Sequence, residues 1–232
     1  MKPAPPIAIV GMTSLFPGSE DLLGFWRDVV SATDRLTDVP PSHWLIEDYY
    51  NPDPSVPDMT YAKRGGYLNP IVFDSMEFGI PPNAIPATDT AQLLALVAAK
   101  RVLADAARFR DGDVDHDRTS VILGVASSTE LVVQLGARLQ HPVWRKALRE
   151  ADLPESKVQE IVQRIGDEYQ PWQESSFPGL LGNVVAGRIA NRLDLGGSNF
   201  VTDAACASSF SAVQAGLSEL YLGDSDMVIA GG

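Results

Sequence analysis

Asn199-Phe200-Val201-Thr202-Asp203-Ala204-Ala205-Cys206-Ala207-Ser208-Ser209 is the stretch on which the reading of this chain turns. It holds the only cysteine among 232 residues. Asn199 to Thr202 is a short β-prone run. Downstream, Cys206, Phe210, Val213, Leu217 and Leu220 are spaced 4, 3, 4 and 3 apart, one face of a helix with a 3.6-residue period. The opposite side, Ala207, Ser208, Ser211, Ala212, Ala215 and Gly216, is uniformly small. A helix that is apolar on one side and small on the other can be packed all round. The pattern therefore predicts a core helix, with Cys206 at the strand-to-helix turn at its amino end.

That position has chemical consequences. Free backbone N–H groups and the positive end of the helix dipole favour an anion there. A thiolate is an anion, so the nucleophilicity of Cys206 at neutral pH rises. The same N–H groups can stabilise the oxyanion formed when a thiolate attacks a thioester carbonyl. The competing reading of the position alone is an inert cysteine buried in a core.

The wording of the motif separates the two. Asp203-Ala204-Ala205-Cys206-Ala207-Ser208-Ser209 resembles the D-x-A-C-x-S-S active-site signature of β-ketoacyl synthases, the condensing enzymes of fatty-acid and polyketide synthases. Gly187-Arg188-Ile189-Ala190, followed by Asp194-Leu195-Gly196-Gly197, is similar to that family's A-G-R-I-A segment and its link into the active-site strand. Ile7-Ala8-Ile9-Val10-Gly11-Met12 with Phe16-Pro17-Gly18 resembles its first strand and following loop. The resemblance covers nearly the whole chain.

The totals bound the alternatives. A chain of this length is ample for one core and short for two. Hydrophobic residues make up 45% and charged residues 21%, a globular balance. No apolar run reaches the ~18 residues of a membrane span, and the start, Met1-Lys2-Pro3-Ala4-Pro5-Pro6, lacks the apolar stretch of a signal peptide. One cysteine excludes an internal disulfide framework, which points to a reducing, cytoplasmic setting. A net charge of −12 argues against a nucleic-acid partner. An acidic carrier protein would need a local basic patch on which to dock.

Along the chain, Ile7 to Val10 reads as a buried central strand closed by Gly11. Ser19-Glu20-Asp21 caps a helix carrying Leu22, Leu23, Phe25, Trp26, Val29 and Val30. From residue 33 to 70, prolines 40, 41, 52, 54 and 57 exclude long regular elements, and the segment reads as a structural wrap. A long helix starts near Thr88-Asp89, with Leu93, Leu96, Ala99, Leu103 and Ala106 on one face. Asp111 to Asp117 is an acidic turn, and Ser120 to Val125 a second buried strand. Residues 129 to 170 read as a helical insertion broken at His141-Pro142 and Leu153-Pro154. Gly182, Ala186 and Ala190 form a small ridge on the next helix, beside Val185, Ile189 and Leu193. Arg188 on that helix reads as half of an ion pair with an acid such as Asp194. Asn199 to Asp203 is the third strand, residues 199–221 the strand-turn-helix unit of the nucleophile, and Asp226 to Ala230 the fourth strand.

Strands alternating with helices predict an α/β fold, a mixed or parallel sheet covered on both faces. The resemblance implies a thiolase-like layered αβα fold, with residues 1–232 forming the amino-terminal half of a five-layer αβαβα domain. It implies that Cys206 takes an acyl group from a carrier-protein or coenzyme A thioester, with its own backbone N–H in the oxyanion hole. The acyl-enzyme is then attacked by the carbanion from decarboxylated malonyl-carrier protein. In that family two histidines assist decarboxylation. They come, with a lysine and a glycine-rich loop, from a second half that no segment here matches. His43, His116 and His141 read as surface residues, so the 232 residues alone are expected not to condense. No metal or redox cofactor is implied; the substrates ride on the 4′-phosphopantetheine arm of an acyl carrier protein. The resemblance also implies a dimer, either a homodimer or a ketosynthase/chain-length-factor pair, joined through the Asn199–Thr202 strand. The insertion would form one wall of the acyl pocket and part of that contact.

Phe78-Gly79-Ile80-Pro81-Pro82-Asn83 through Ala87-Thr88-Asp89-Thr90 resembles the synthases of polyunsaturated fatty acids more than modular polyketide synthases. Two other readings compete: a non-catalytic chain-length-factor-like partner, and another thiolase-fold enzyme of coenzyme A thioesters. The presence of Cys206 argues against the first, and the Ala-Cys-Ala-Ser-Ser wording against the second. No G-x-S-x-G elbow of a serine hydrolase is present.

Overall fold

The computed structural model describes residues 5–109, 115–126 and 130–232. The chain divides into two units, residues 10–72 and a larger one made of 1–9 with 73–232.

The smaller unit is mostly irregular. Its one substantial helix, α1 (Leu22–Val30), begins where Asp21 accepts a hydrogen bond from the Gly24 N–H at 2.7 Å. Two-residue strands β1 (Thr37–Asp38) and β2 (Arg64–Gly65) pair antiparallel, and a single helical turn, α2 (Ile46–Tyr49), lies between them in sequence. The proline-rich wrap thus forms no long element, as its composition predicts. The rings of Phe16 and Phe25 stack at 4.0 Å, over a polar knot. Within it Asp28, 7% exposed, accepts hydrogen bonds from Arg35 at 2.8 and 2.6 Å and from the Ser19 hydroxyl at 2.7 Å.

The Arg35 bonds, with the Ser19 bond adding to them, hold the Asp28 carboxyl down from 3.8 to about 2. The lowered pKa contributes stability that is fully present above the ordinary carboxylate value. That stability is lost as pH falls from about 4 through about 2. An acid titration followed by tryptophan fluorescence is expected to show a loss of stability in this window that Asp28→Asn removes. An unchanged profile in the variant would assign the transition to other carboxylates.

In the larger unit α3 (Thr90–Ala106) starts at Asp89, whose Oδ1 accepts from the Ala91 N–H at 3.0 Å. The Asp115 side chain caps a short turn leading into β3 (Thr119–Gly124), and residues 111–114 of the acidic turn lie outside the described residues. Helices α4 (Glu130–Arg138), α5 (His141–Glu150) and α6 (Glu155–Asp167) occupy the stretch read from the sequence as an insertion, interrupted at the two proline sites. Trp144 and Tyr169 stack at 6.0 Å across it. Then come α7 (Ser176–Leu180), α8 (Val184–Arg192), β4 (Asn199–Thr202), α9 (Ser208–Leu222) and β5 (Met227–Gly231).

The strands make one parallel sheet in the order β4-β3-β5. Alternation along the strands sorts the layers. Val121, Leu123, Val201 and Ile229 face the cluster built by α3 and α8, with Leu96, Ala99, Val185 and Ile189 buried in it. Residues of opposite parity, Gly124, Val228 and Ala230, lie against α9. The result is a helix–sheet–helix sandwich with β3 at its centre, buried from Thr119 to Ile122.

Two expectations fail here. Ile7 to Val10 forms no strand, and Ile9 is 80% exposed. An apolar run becomes a strand only where a sheet edge takes it up, and this run joins no ladder among the described residues. Helix α9 is also not buried all round. Its small side, Ser208, Ala212 and Gly216, is buried, while Phe210 and Val213 on the other side are 79% and 44% exposed. A Cβ at Gly216 would lie 3.0 Å from the Val228 side chain. The helix therefore approaches the sheet more closely than a bulky stripe would allow.

Candidate active site

The strands of a parallel sheet present the loops that follow them at one end, where sites in such folds gather. Here β4 runs into Asp203-Ala204 and then a single 3₁₀ turn, Ala205–Ala207, ahead of α9. Cys206 sits in that turn and is exposed, not buried in the core. The turn is sharp because Ala205 adopts φ +49°, in the left-handed region that costs an alanine about 1 kcal/mol or more. Three side-chain bonds hold it. The Asp203 Oδ1 accepts from the Ala205 N–H at 2.9 Å. The Ser208 hydroxyl accepts from the Ala204 N–H at 2.9 Å and donates to the Ala205 carbonyl at 2.7 Å.

The ends of all three strands converge on this turn. The Val125 N–H donates to the Thr202 carbonyl at 3.0 Å. The Ser209 hydroxyl donates to the carbonyl of Gly232, just beyond β5. Gly124 lets the start of α9 press on the end of β3: a Cβ there would stand 2.5 Å from the Ser208 carbonyl carbon.

No histidine joins Cys206 among the described residues. His116 precedes β3, at the opposite end of the sheet from the cysteine, with its Nδ1 3.2 Å from the Asp194 carbonyl. His141 opens α5, and His43 belongs to the smaller unit, edge-on to Tyr67. No cluster of metal-ligating side chains exists among the described residues.

The expected Arg188–Asp194 ion pair does not form. Arg188 Nε instead donates to the Oε1 of Gln92 at 2.6 Å. Asp194 occupies a left-handed turn at φ +54° beyond the helix. Burial, and secondarily the neighbouring Arg192 charge, lower the pKa of Arg188. Gln92, wholly buried, is the residue sequence reasoning missed. Its Nε2 lies 3.0, 2.8 and 3.1 Å from the carbonyls of Pro178, Gly179 and Leu181, tying α3 to the end of α7. The signal was present in the sequence. Gln92, Leu96, Ala99 and Leu103 share helical spacing, so an amide sits in an apolar stripe.

The sequence matches the family model "Beta-ketoacyl synthase, N-terminal domain" over residues 4–232. The chain belongs to the β-ketoacyl synthase family. Among curated proteins, this ketosynthase chain is 33% identical over 225 residues to a polyunsaturated fatty acid synthase of Thraustochytrium sp.. That match covers 97% of this chain and 8% of the relative. It is 29% identical over 231 residues to the phthioceranic/hydroxyphthioceranic acid synthase of Mycobacterium tuberculosis, covering 98% and 9% of the two chains. Among solved structures it superposes on the oxazolomycin ketosynthase domain OzmH KS7 of Streptomyces albus with a TM-score of 0.71 and 25% identity, covering 97% of this chain and 33% of that one. The ketosynthase from module 6 of the bacillaene synthase of Bacillus subtilis gives 0.68 at 24% identity, covering 95% and 31%. The chain thus spans under a tenth of the length of these curated relatives and about a third of the solved ketosynthase chains. The α/β, thiolase-like fold read from the sequence is the fold of these neighbours. No helix among the described residues is long and apolar enough to cross a membrane.

Proposed function

We propose that this chain carries the nucleophile of a β-ketoacyl-acyl-carrier-protein synthase. The observation that supports this most directly is the exposed Cys206 on a left-handed turn at the carboxyl end of the parallel strands. The thiolate of Cys206 attacks an acyl thioester carried by the phosphopantetheine arm of an acyl carrier protein. The backbone N–H of Cys206 helps to hold the oxyanion, and the carrier thiol leaves. The acyl group then passes to the carbanion that malonyl-carrier protein yields on losing carbon dioxide, forming the carbon–carbon bond and freeing Cys206. Decarboxylation requires the two histidines that the family places in a carboxy-terminal half. The bare outer side of α9, Phe210 and Val213, is an apolar surface that such a half can cover. The setting is cytoplasmic, where a lone thiol stays reduced. The 33% identity to a polyunsaturated fatty acid synthase favours a chain of that kind over a modular polyketide.

The test is intact mass after incubation with a short acyl-pantetheine thioester, on the polypeptide extended through the carboxy-terminal half. A single acyl adduct is expected. A folded protein that takes up none would overturn the condensing-enzyme reading in favour of a chain-length-factor-like partner.

The same domain is proposed to dimerise through β4, which is an edge strand. Val121 and Val125 donate to the Ser198 and Thr202 carbonyls. By alternation, the N–H groups of Asn199 and Val201 then point to the open side. An unpaired edge is a liability that a mate relieves. Sedimentation of the complete domain is expected to show a dimer, and Val201→Pro, which removes an outward donor while sparing the β3 ladder, a monomer. A monomeric wild type would sink the edge pairing.

A further inference from the structure

The Ser208 hydroxyl reaches both sides of the strained peptide, accepting from the Ala204 N–H at 2.9 Å and donating to the Ala205 carbonyl at 2.7 Å. Ser208 is 6% exposed, and its backbone lies close against Gly124. Between the two bonds lies the only non-glycine residue of the turn with a positive φ, Ala205 at +49°. Cys206 is the next residue. A relaxed Ala205 would rotate the Cys206 thiol and N–H together, away from the ends of β3 and β5.

We propose that Ser208 is the positioning residue for the Cys206 thiol, its hydroxyl locking the left-handed Ala205 peptide from both sides. The inference rests on Cys206 being the acyl-accepting nucleophile. It assigns Ser208 no contact with substrate and no proton transfer. The lock works through backbone geometry alone, so a residue that adopts φ +49° without strain makes it dispensable.

That property supplies the test, on the complete domain in its own polypeptide. Ser208→Ala is expected to slow acylation of Cys206 by acyl-pantetheine about tenfold, with the half-saturating thioester concentration unchanged. Ala205→Gly alone is measured as the reference for the rate. Ala205→Gly placed in the Ser208→Ala background restores it, which a hydroxyl needed only for stability or for proton transfer would not allow. Wild-type acylation in Ser208→Ala overturns the proposal, as does a slow double variant that melts at the wild-type temperature. Iodoacetamide labelling of Cys206 in the same four proteins separates this failure from that of the parent reading. If the wild type takes no acyl group, the nucleophile assignment falls. Labelling that is slowed in Ser208→Ala and restored in the double variant still supports the lock, and equal labelling in all four overturns it.

Discussion

Cys206→Ala is expected to eliminate the acyl adduct and to reduce condensation by the complete domain by a factor on the order of 10⁴ or more. The size follows from the chemistry. Without the thiol no covalent intermediate forms, and the N–H donors cannot replace it. The measurement pairs intact mass with product formation. Loss of both, with folding intact, is the expected outcome. An adduct that persists in Cys206→Ala would place the acyl group elsewhere. Exposure works in favour of this result: Cys206 lies on the surface of the described residues, so alanine removes few packing contacts. The melting temperature is expected to stay within about 2 °C of the wild type.

The opposite profile is expected for Gln92→Leu. Its side chain is wholly buried and serves the carbonyls of Pro178, Gly179 and Leu181 as well as the Arg188 guanidinium. Leucine fits the space but leaves those groups without their partner. Each buried unsatisfied group costs about 1–3 kcal/mol, and a charged one more. A loss of about 3 kcal/mol or more is expected, a fall in melting temperature of roughly 6–12 °C for a domain of this size. Arg188→Leu in the same background is expected to cost less than it does alone, because its partner has already gone. Additive losses would show that Arg188 draws its stability from another contact. Thermal unfolding of the four proteins settles the cycle.

The features legible in the sequence are those decided within a few residues. Asp21 and Asp89 announce helix starts by capping their own first turns. The continuous run Ser-Val-Ile-Leu announces a strand buried on both faces. The proline sites at 142 and 154 divide the insertion where expected. The position of Cys206 between a strand and a helix needed only two periodicities. What escaped depends on partners far away in sequence. Both sides of α9 qualify for burial, and only the approach distance set by Gly216 against Val228 selects the small side. Ile7 to Val10 has strand composition, yet pairing requires an available edge. Arg188 found an amide 96 residues upstream in place of a nearby acid, because helix packing, not sequence distance, sets its neighbours.

The strand order carries a consequence for how the chain is made. β3 lies between β4 and β5, yet it is synthesised before either. Residues 125–198 must emerge before the first of its neighbours can pair with it. At about 5–20 residues per second, the most deeply buried strand of the sheet waits for several seconds with both edges open. Its contacts are then made across long loops, which slows closure further. The centre of the finished sandwich is thus the first strand of its sheet to be made and is paired late, and α3, encoded just before it, is the first cover available to it.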